Sequence, residues 1–173
     1  MLAHPIANKI AGMTEFNIAA AVQNDLADVR AMFSAYAVGL LVDLGAQGFD
    51  DELANLPGPY SAPSGALLIA RSATGEALGC IALRRIDADA CEVKRLYVLP
   101  SARGMGLGNA LIAAVIGEAQ HAGYQQMKLD TLPNMQSAIA IYRDHGFAPI
   151  APYGSYPYPG LMCLGKTLAP TSG

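Results

Sequence analysis

The chain has 173 residues, is 53% hydrophobic and 14% charged, and carries a net charge of −3. That length supports one domain with a sizeable core. The weakly acidic balance, with no basic run or basic helix face, excludes a nucleic-acid surface, and no uncharged apolar stretch approaches the length of a membrane span.

Residues 1–12 show no clear period, and Met13-Thr14 offers a second start, so 1–12 read as an N-terminal extension and 13–173 as the domain. Glu15 to Val22 is a weakly patterned strand. Asn24 is a fitting N-cap for a helix to about Val42, on which Leu26, Val29, Met32, Phe33, Tyr36 and Leu40 recur at helical spacing. Phe49 to Leu56 is a second, short helix stopped by Pro57-Gly58-Pro59. Gly65 to Ser72, Ala77 to Ile86 and Ala90 to Leu99 then form an antiparallel meander with tight turns at Ala73–Glu76 and Asp87–Asp89. A helix from about Gly106 to Ala122 is apolar nearly all round and must be covered on most sides. Through Gly123 it leads to a strand, Tyr124 to Leu132, parallel to the preceding one by a right-handed crossover. Met135 to His145 is a helix with Ala138, Ile141, Tyr142 and His145 on one stripe and Gly146 at C′. Phe147 to Ala151 and Leu161 to Leu168 close as a strand pair, joined by a Tyr/Pro-rich turn.

Cys80, Cys91 and Cys163 are odd in number and scattered through apolar runs, which suits buried, reduced thiols in a cytoplasmic protein. The opening MLAHPIANKI lacks the basic and apolar regions of a signal peptide. Nothing in the spacing of the cysteines with His4, His121 and His145 suggests a metal site.

The chain is organised around Cys91 to Gly117, a strand followed by a glycine loop and a helix. Gly104, Gly106 and Gly108 alternate along SARGMGLG and feed the helix start. A helix entered from glycines leaves unpaired N–H donors and the positive dipole end, which attract an anion. Arg103 adds a planar cation suited to phosphate. A P-loop would need Gly-Lys-Ser/Thr at the helix start, and the chain has Gly108-Asn109-Ala110. A dinucleotide fingerprint would need a third glycine at Asn109; its ribose-binding acid could only be Asp130. Arg103-x-x-Gly106-x-Gly108 after a strand resembles instead the coenzyme A pyrophosphate loop of the GNAT family of N-acetyltransferases. IYRDHGF resembles that family's second signature, a tyrosine shortly before Gly-Phe, and CEVKRLYV resembles its acetyl-carrying strand. The resemblance covers roughly 67 to 168, and the first 60 residues match in element order.

This likeness implies a single α/β (α+β) domain: a mixed, mostly antiparallel central sheet of about six to seven strands, with helices on both faces. It implies acetyl-CoA as cosubstrate, no metal, and direct attack of an amine on the thioester. Leu96, Tyr97 and Val98 match the backbone positions that hold the pantetheine arm. A backbone N–H of Leu96 or Tyr97 would face the thioester carbonyl. Arg103, Gly104, Met105, Gly106, Leu107, Gly108 and Asn109 would hold the pyrophosphate. Relatives often place an asparagine seven residues before the tyrosine; here Met135 holds that position and Asn134 precedes it. Tyr142 matches the acid that protonates the leaving thiolate, the alternative being a core aromatic. Glu92 matches a general-base glutamate, the alternative being a sheet ion pair with Lys94 or Arg84. His145, at a helix C-terminus, needs no catalytic role.

For the acceptor, the first helices and last turn supply Tyr36, Phe49, Asp50, Asp51, Glu52, Tyr153, Tyr156 and Tyr158. Acids with aromatics suit a small cationic amine. A protein lysine or N-terminus, and a non-catalytic acyl-CoA sensor, stay open as alternatives, as does a homodimer. No nucleic acid or membrane partner is expected.

Overall fold

The computed structural model describes residues 6–7, 15–154 and 158–172. Its centre is one eight-stranded sheet in the order β1-β2-β3-β4-β5-β6-β8-β7. Six strands are substantial: β2 (Phe16–Ala20), β3 (Ala66–Ser72), β4 (Ala77–Arg85), β5 (Ala90–Val98), β6 (Gln126–Thr131) and β8 (Met162–Thr167). Two two-residue strands, β1 (Ile6–Ala7) and β7 (Ala148–Pro149), lie at the edges and take the count past the expected six to seven. Every neighbouring pair is antiparallel except β5 and β6, the pair joined by the helical crossover.

Helices α1 (Leu26–Gly39) and α2 (Phe49–Ala54) cover one face of the sheet. Helices α3 (Leu107–His121) and α4 (Gln136–Asp144) cover the other. Strand alternation assigns the two cores. Leu68, Ile81, Leu83, Val93, Met127 and Leu129 pack with Leu107, Leu111, Ile112 and Val115 of α3. Leu67, Ile69, Cys80 and Ala82 pack with Val29, Met32 and Phe33 of α1. α3 is less enclosed than its composition implies: Leu107, Leu111, Ile112, Val115 and Ala119 are buried, while Ala113 faces solvent. Alanine exposes little apolar area, so an all-apolar sequence need not be covered all round.

Several boundaries move for local reasons. Asn24 does not cap α1; a 3₁₀ turn, Gln23–Asp25, precedes the helix, and the Asp25 carboxylate accepts the Val22 N–H at 2.8 Å. β6 starts at Gln126, because the Tyr124 N–H still bonds the Ala119 carbonyl of α3. Beyond it, the N–H groups of Gln125 and Gln126 both donate to Asp89 O. The strand expected at Phe147 to Ala151 shrinks to Ala148–Pro149, since Pro149 cannot donate to a ladder. On α4 the buried residues are Ile139 and Tyr142, with Ala138 and Ile141 half-buried beside them.

Candidate active site

The site begins with an irregularity in β5. Cys80 pairs with Tyr97 and Ala82 with Lys94, so Arg95 and Leu96 together oppose Ile81 in a β-bulge. Arg95 adopts φ +59, a left-handed conformation that costs a bulky residue roughly 1–2 kcal/mol. The bulge keeps Leu96 in the α3 core and turns Arg95 under α1 and α2, where it is 4% exposed. There its Nε and Nη2 donate to Glu52 Oε2 and Oε1 at 2.9 and 3.1 Å. Its guanidinium lies over Phe49 and Tyr36, 5.2 and 5.6 Å from the ring centroids. The Tyr60 hydroxyl donates to the same Glu52 at 2.8 Å.

The bulge also bends β5 away from β6. Parallel pairing covers Ala90, Cys91 and Glu92 against Gln126, Met127 and Lys128, and then ends. Past Glu92 the two strands part, leaving a wedge between neighbours in one sheet. Leu96, Tyr97 and Val98 line its β5 side.

At the C-terminal mouth of the wedge stands the glycine loop. A 3₁₀ turn, Pro100–Ala102, is followed by Gly104 at φ +81 and Gly106 at φ +76, the latter as N-cap of α3. A Cβ at either glycine would meet no atom within 4 Å, so the space over the helix start is open. Gly108 sits closer to a neighbour: its Cβ would lie 2.7 Å from Ile141 Cδ1, so a side chain there would have to displace that terminal methyl of α4. The Arg103 side chain is exposed and its Nε donates to Val98 O at 3.3 Å, tying loop to strand. Open space over a helix N-terminus is a setting that attracts an anion. Leu107 is a core residue, 1% exposed, and can offer only its backbone. The Asn109 side chain meets His145 Nε2 at 3.2 Å across the α3–α4 contact. Asn134 is exposed in the turn before α4, whose N-cap position is held by Met135.

On the α1/α2 face of the wedge lies a cluster of charges. Glu92 is 1% exposed and has Lys94 Nζ at 3.1 Å and Arg84 Nη2 at 3.3 Å. Asp130 projects from β6 on the same face, beyond the last β5–β6 pair. Burial first, and then the charge of Glu92, hold its carboxyl above the usual range against the pull of Lys94, Arg95 and Arg84. Asp130 stands on the wall of a small, half-open pocket, lined by Tyr36, Leu40, Val42, Leu44, Arg95, Asp130, Thr131, Leu132, Met135, Tyr158 and Leu161.

Tyr142 is buried, edge-on to Phe147 at 5.9 Å. Its hydroxyl is pushed well above the ordinary tyrosine range by burial, then by the nearby Tyr36 and Asp130. Tyr36 is likewise raised, by burial chiefly and by Asp130 in part, with Arg95 opposing.

The structure brings Tyr36, Tyr142, Tyr158 and the β5 segment to this region. It separates the other acceptor candidates. Asp50 and Asp51 are exposed on the first turn of α2; Glu52 and Phe49 are committed to Arg95. Tyr153 lies under Lys128 Nζ, 5.5 Å from the ring centroid, and Tyr156 falls outside the described residues. Arg95 and Asp130 as wall residues were missed. The signal for Asp130 was its place one pleat beyond Lys128, on the face Glu92 shares; the bulge that exposes Arg95 to the pocket has no glycine to announce it.

Comparison with known proteins agrees with this geometry. The acetyltransferase (GNAT) family profile matches residues 28–147. An uncharacterized N-acetyltransferase of Schizosaccharomyces pombe is 38% identical over 141 residues, covering 81% of this chain and 86% of the relative. A GNAT-family acetyltransferase of Staphylococcus aureus superposes with a TM-score of 0.76 at 19% identity, covering 89% of this chain and 99% of that one. A Salmonella typhimurium protein solved with its cofactor acetyl-CoA superposes at 0.71, with 19% identity and coverages of 91% and 96%. At those identities the solved structures speak to the fold. The chain belongs to the GNAT acetyltransferase family, and by class it is an acyltransferase. No helix among the described residues is long and apolar enough to cross a membrane. Nor do the described residues contain a group of three His, Cys, Asp or Glu able to hold a metal.

Proposed function

We propose that the protein transfers the acetyl group of acetyl-CoA to the primary amine of a small molecule by direct attack, without a covalent enzyme intermediate. The observation that carries this reading is the wedge itself. It joins a glycine-lined helix start at one mouth to a carboxylate-bearing pocket at the α1/α2 face. Acetyl-CoA supplies the reactive thioester. The backbone of Arg103 to Asn109 holds its pyrophosphate, and Arg103 adds a cation at the rim. Leu96, Tyr97 and Val98 hold the pantetheine arm as an added strand, with Asn134 near its course. A backbone N–H of Leu96 or Tyr97 polarises the thioester carbonyl, a contact worth roughly 3 kcal/mol when fixed in advance.

An ammonium must lose a proton before it can attack, because its pKa of roughly 10 leaves little free amine at pH 7. Two carboxylates stand on this face of the sheet. Glu92 is at the strand position that the resemblance implies for the base but is sealed between Lys94 and Arg84. Asp130 lines the pocket and can take the proton. Tyr142 gives its phenolic proton to the departing sulfur. Three buried, unbridged cysteines suit a reducing cytoplasm.

The test combines a thermal-shift titration with thiol release across an amine panel. Acetyl-CoA should raise the melting temperature, since it binds the folded state. NADH and ATP should not. Gly106→Asp should abolish the shift by setting a negative side chain over the helix start. An unchanged shift in a folded Gly106→Asp protein overturns the loop assignment. Binding without thiol release for any amine replaces catalysis with acyl-CoA sensing.

A further inference from the structure

The pocket beside the wedge contains a carboxylate whose chemistry is unused. Asp130 Oδ2 is buried and has no hydrogen-bond partner among the described residues. A half-buried carboxylate without a partner is costly, and Asp130 stands on the pocket wall, where a cationic ligand would offset that cost. Among the described residues most of the remaining wall is apolar: Leu40, Val42, Leu44, Leu132, Met135 and Leu161 face the same space, with Thr131, Tyr36 and Tyr158. Arg95, the other charged residue on the wall, is already matched by the carboxylate of Glu52. A cation with an apolar body therefore suits the pocket, and among the described residues a ligand carboxylate would find no unmatched cation on the wall. Glu92 is placed differently. It is sealed at 1% exposure between Lys94 and Arg84 and does not line the pocket.

We propose that Asp130 is the acceptor-binding carboxylate: it receives the ammonium of a small primary amine with an apolar body and takes one of its protons. The inference rests on the acetyltransferase reading above and names the acceptor class and the proton's destination. The proton passes from nitrogen to the carboxylate of Asp130, which lines the pocket, and leaves the nitrogen lone pair free. The new C–N bond then forms as the C–S bond breaks, and the sulfur takes its proton from Tyr142. The acylated nitrogen gives its second proton to the Tyr142 phenolate, and Asp130 releases the first to solvent. Burial, which raises the proton affinity of Asp130, favours this transfer; the charged groups around it are Glu92, Lys94, Arg95 and Arg84, with Tyr36 and Tyr142 facing it from the helices. Glu92 acts on this reading by holding Lys94 and Arg84 in place.

The experiment compares wild type, Asp130→Asn and Glu92→Gln with phenethylamine and phenylalanine, two probes that share a body and differ by a carboxylate. Wild type should prefer phenethylamine by tenfold or more in kcat/KM. Asp130→Asn should lose roughly 10²-fold for phenethylamine at pH 7, the scale of a lost general base. Its KM for acetyl-CoA should stay within a few fold. The deficit should narrow as pH approaches the amine pKa of roughly 10, where free amine no longer needs a base. A structural role would not produce that pH dependence. Equal rates with the two probes, or an Asn variant with wild-type kcat/KM and pH profile, overturns the inference. So does a loss that falls on Glu92→Gln alone; both results leave the acetyltransferase reading standing. If wild type releases no thiol with any amine, that reading fails, and calorimetric binding of phenethylamine decides the inference. Binding weakened tenfold or more in Asp130→Asn sustains it, while equal binding, or none to wild type, overturns it. Asp130→Ser serves the same measurements should the Asn variant not fold.

Discussion

The Tyr142 hydroxyl has two candidate roles, proton donor and structural hydrogen-bonder, and they separate cleanly by substitution. Tyr142→Phe keeps the ring against Phe147. If the hydroxyl protonates sulfur, kcat should fall by roughly 10²-fold with the melting temperature nearly unchanged. A structural hydroxyl would give the reverse, a loss of roughly 1 kcal/mol with kcat preserved. Measuring both on one variant decides. Arg95 makes a second residue-scale case. Arg95→Met should destabilise by roughly 3 kcal/mol, because it strands the Glu52 carboxylate under α1. The double variant Arg95→Met, Glu52→Gln should recover part of that loss in chemical denaturation, since no unpaired charge remains. Tyr142 was legible from sequence because its signature is local, four residues before Gly146. Arg95 and Asp130 were not, because their settings depend on a bulge and on the parting of two strands joined by a helix.

The elements themselves were mostly legible, since strand alternation, turn glycines and helical periodicity are short-range. What escaped were ends decided by distant partners, such as the start of β6 at the Asp89 carbonyl. The β4–β5 contact shows how such a partner constrains a residue. A Cβ at Gly79 would stand 2.7 Å from Tyr97 O, a backbone atom that cannot swing aside. Gly79→Ala should therefore cost roughly 1–3 kcal/mol, the range for overpacking, and should push β5 at the bulge. Melting temperature and the acetyl-CoA thermal shift should both fall. A normal acetyl-CoA shift in a destabilised variant would separate the bulge from ligand binding.

At the scale of the whole molecule, stability and the acceptor pocket pull against each other. The folded-state pKa of Asp130 is raised by burial, so the native state favours its protonated form. Its contribution is fully present below the unfolded value of roughly 3.9 and is lost as pH rises through the folded value. Asp130→Asn should consequently melt higher than wild type at pH 7, with the difference vanishing near the unfolded pKa. Thermal melts across that range check the sign. The cysteines carry no such tension: burial pushes Cys80 and Cys91 up to about 12. A thiol reagent at pH 8 should leave both unlabelled in the native protein and label them after unfolding.

The seam between β5 and β6 has a kinetic consequence. The α3 core crosses it without interruption, with Met127, Leu129 and Leu164 in the same cluster as Leu68 and Ile81. The backbone ladder does not, since it stops at Glu92 and Lys128. Hydrogen–deuterium exchange should then divide the centre of the sheet against expectation. Amides of β4, paired on both sides, should exchange only with global opening, while those on the edge of β5 beyond Glu92 that β6 leaves unpaired exchange by smaller, local openings. A ligand that completes the ladder there would slow exchange along a line of main-chain positions, and most single side-chain replacements would leave that footprint intact.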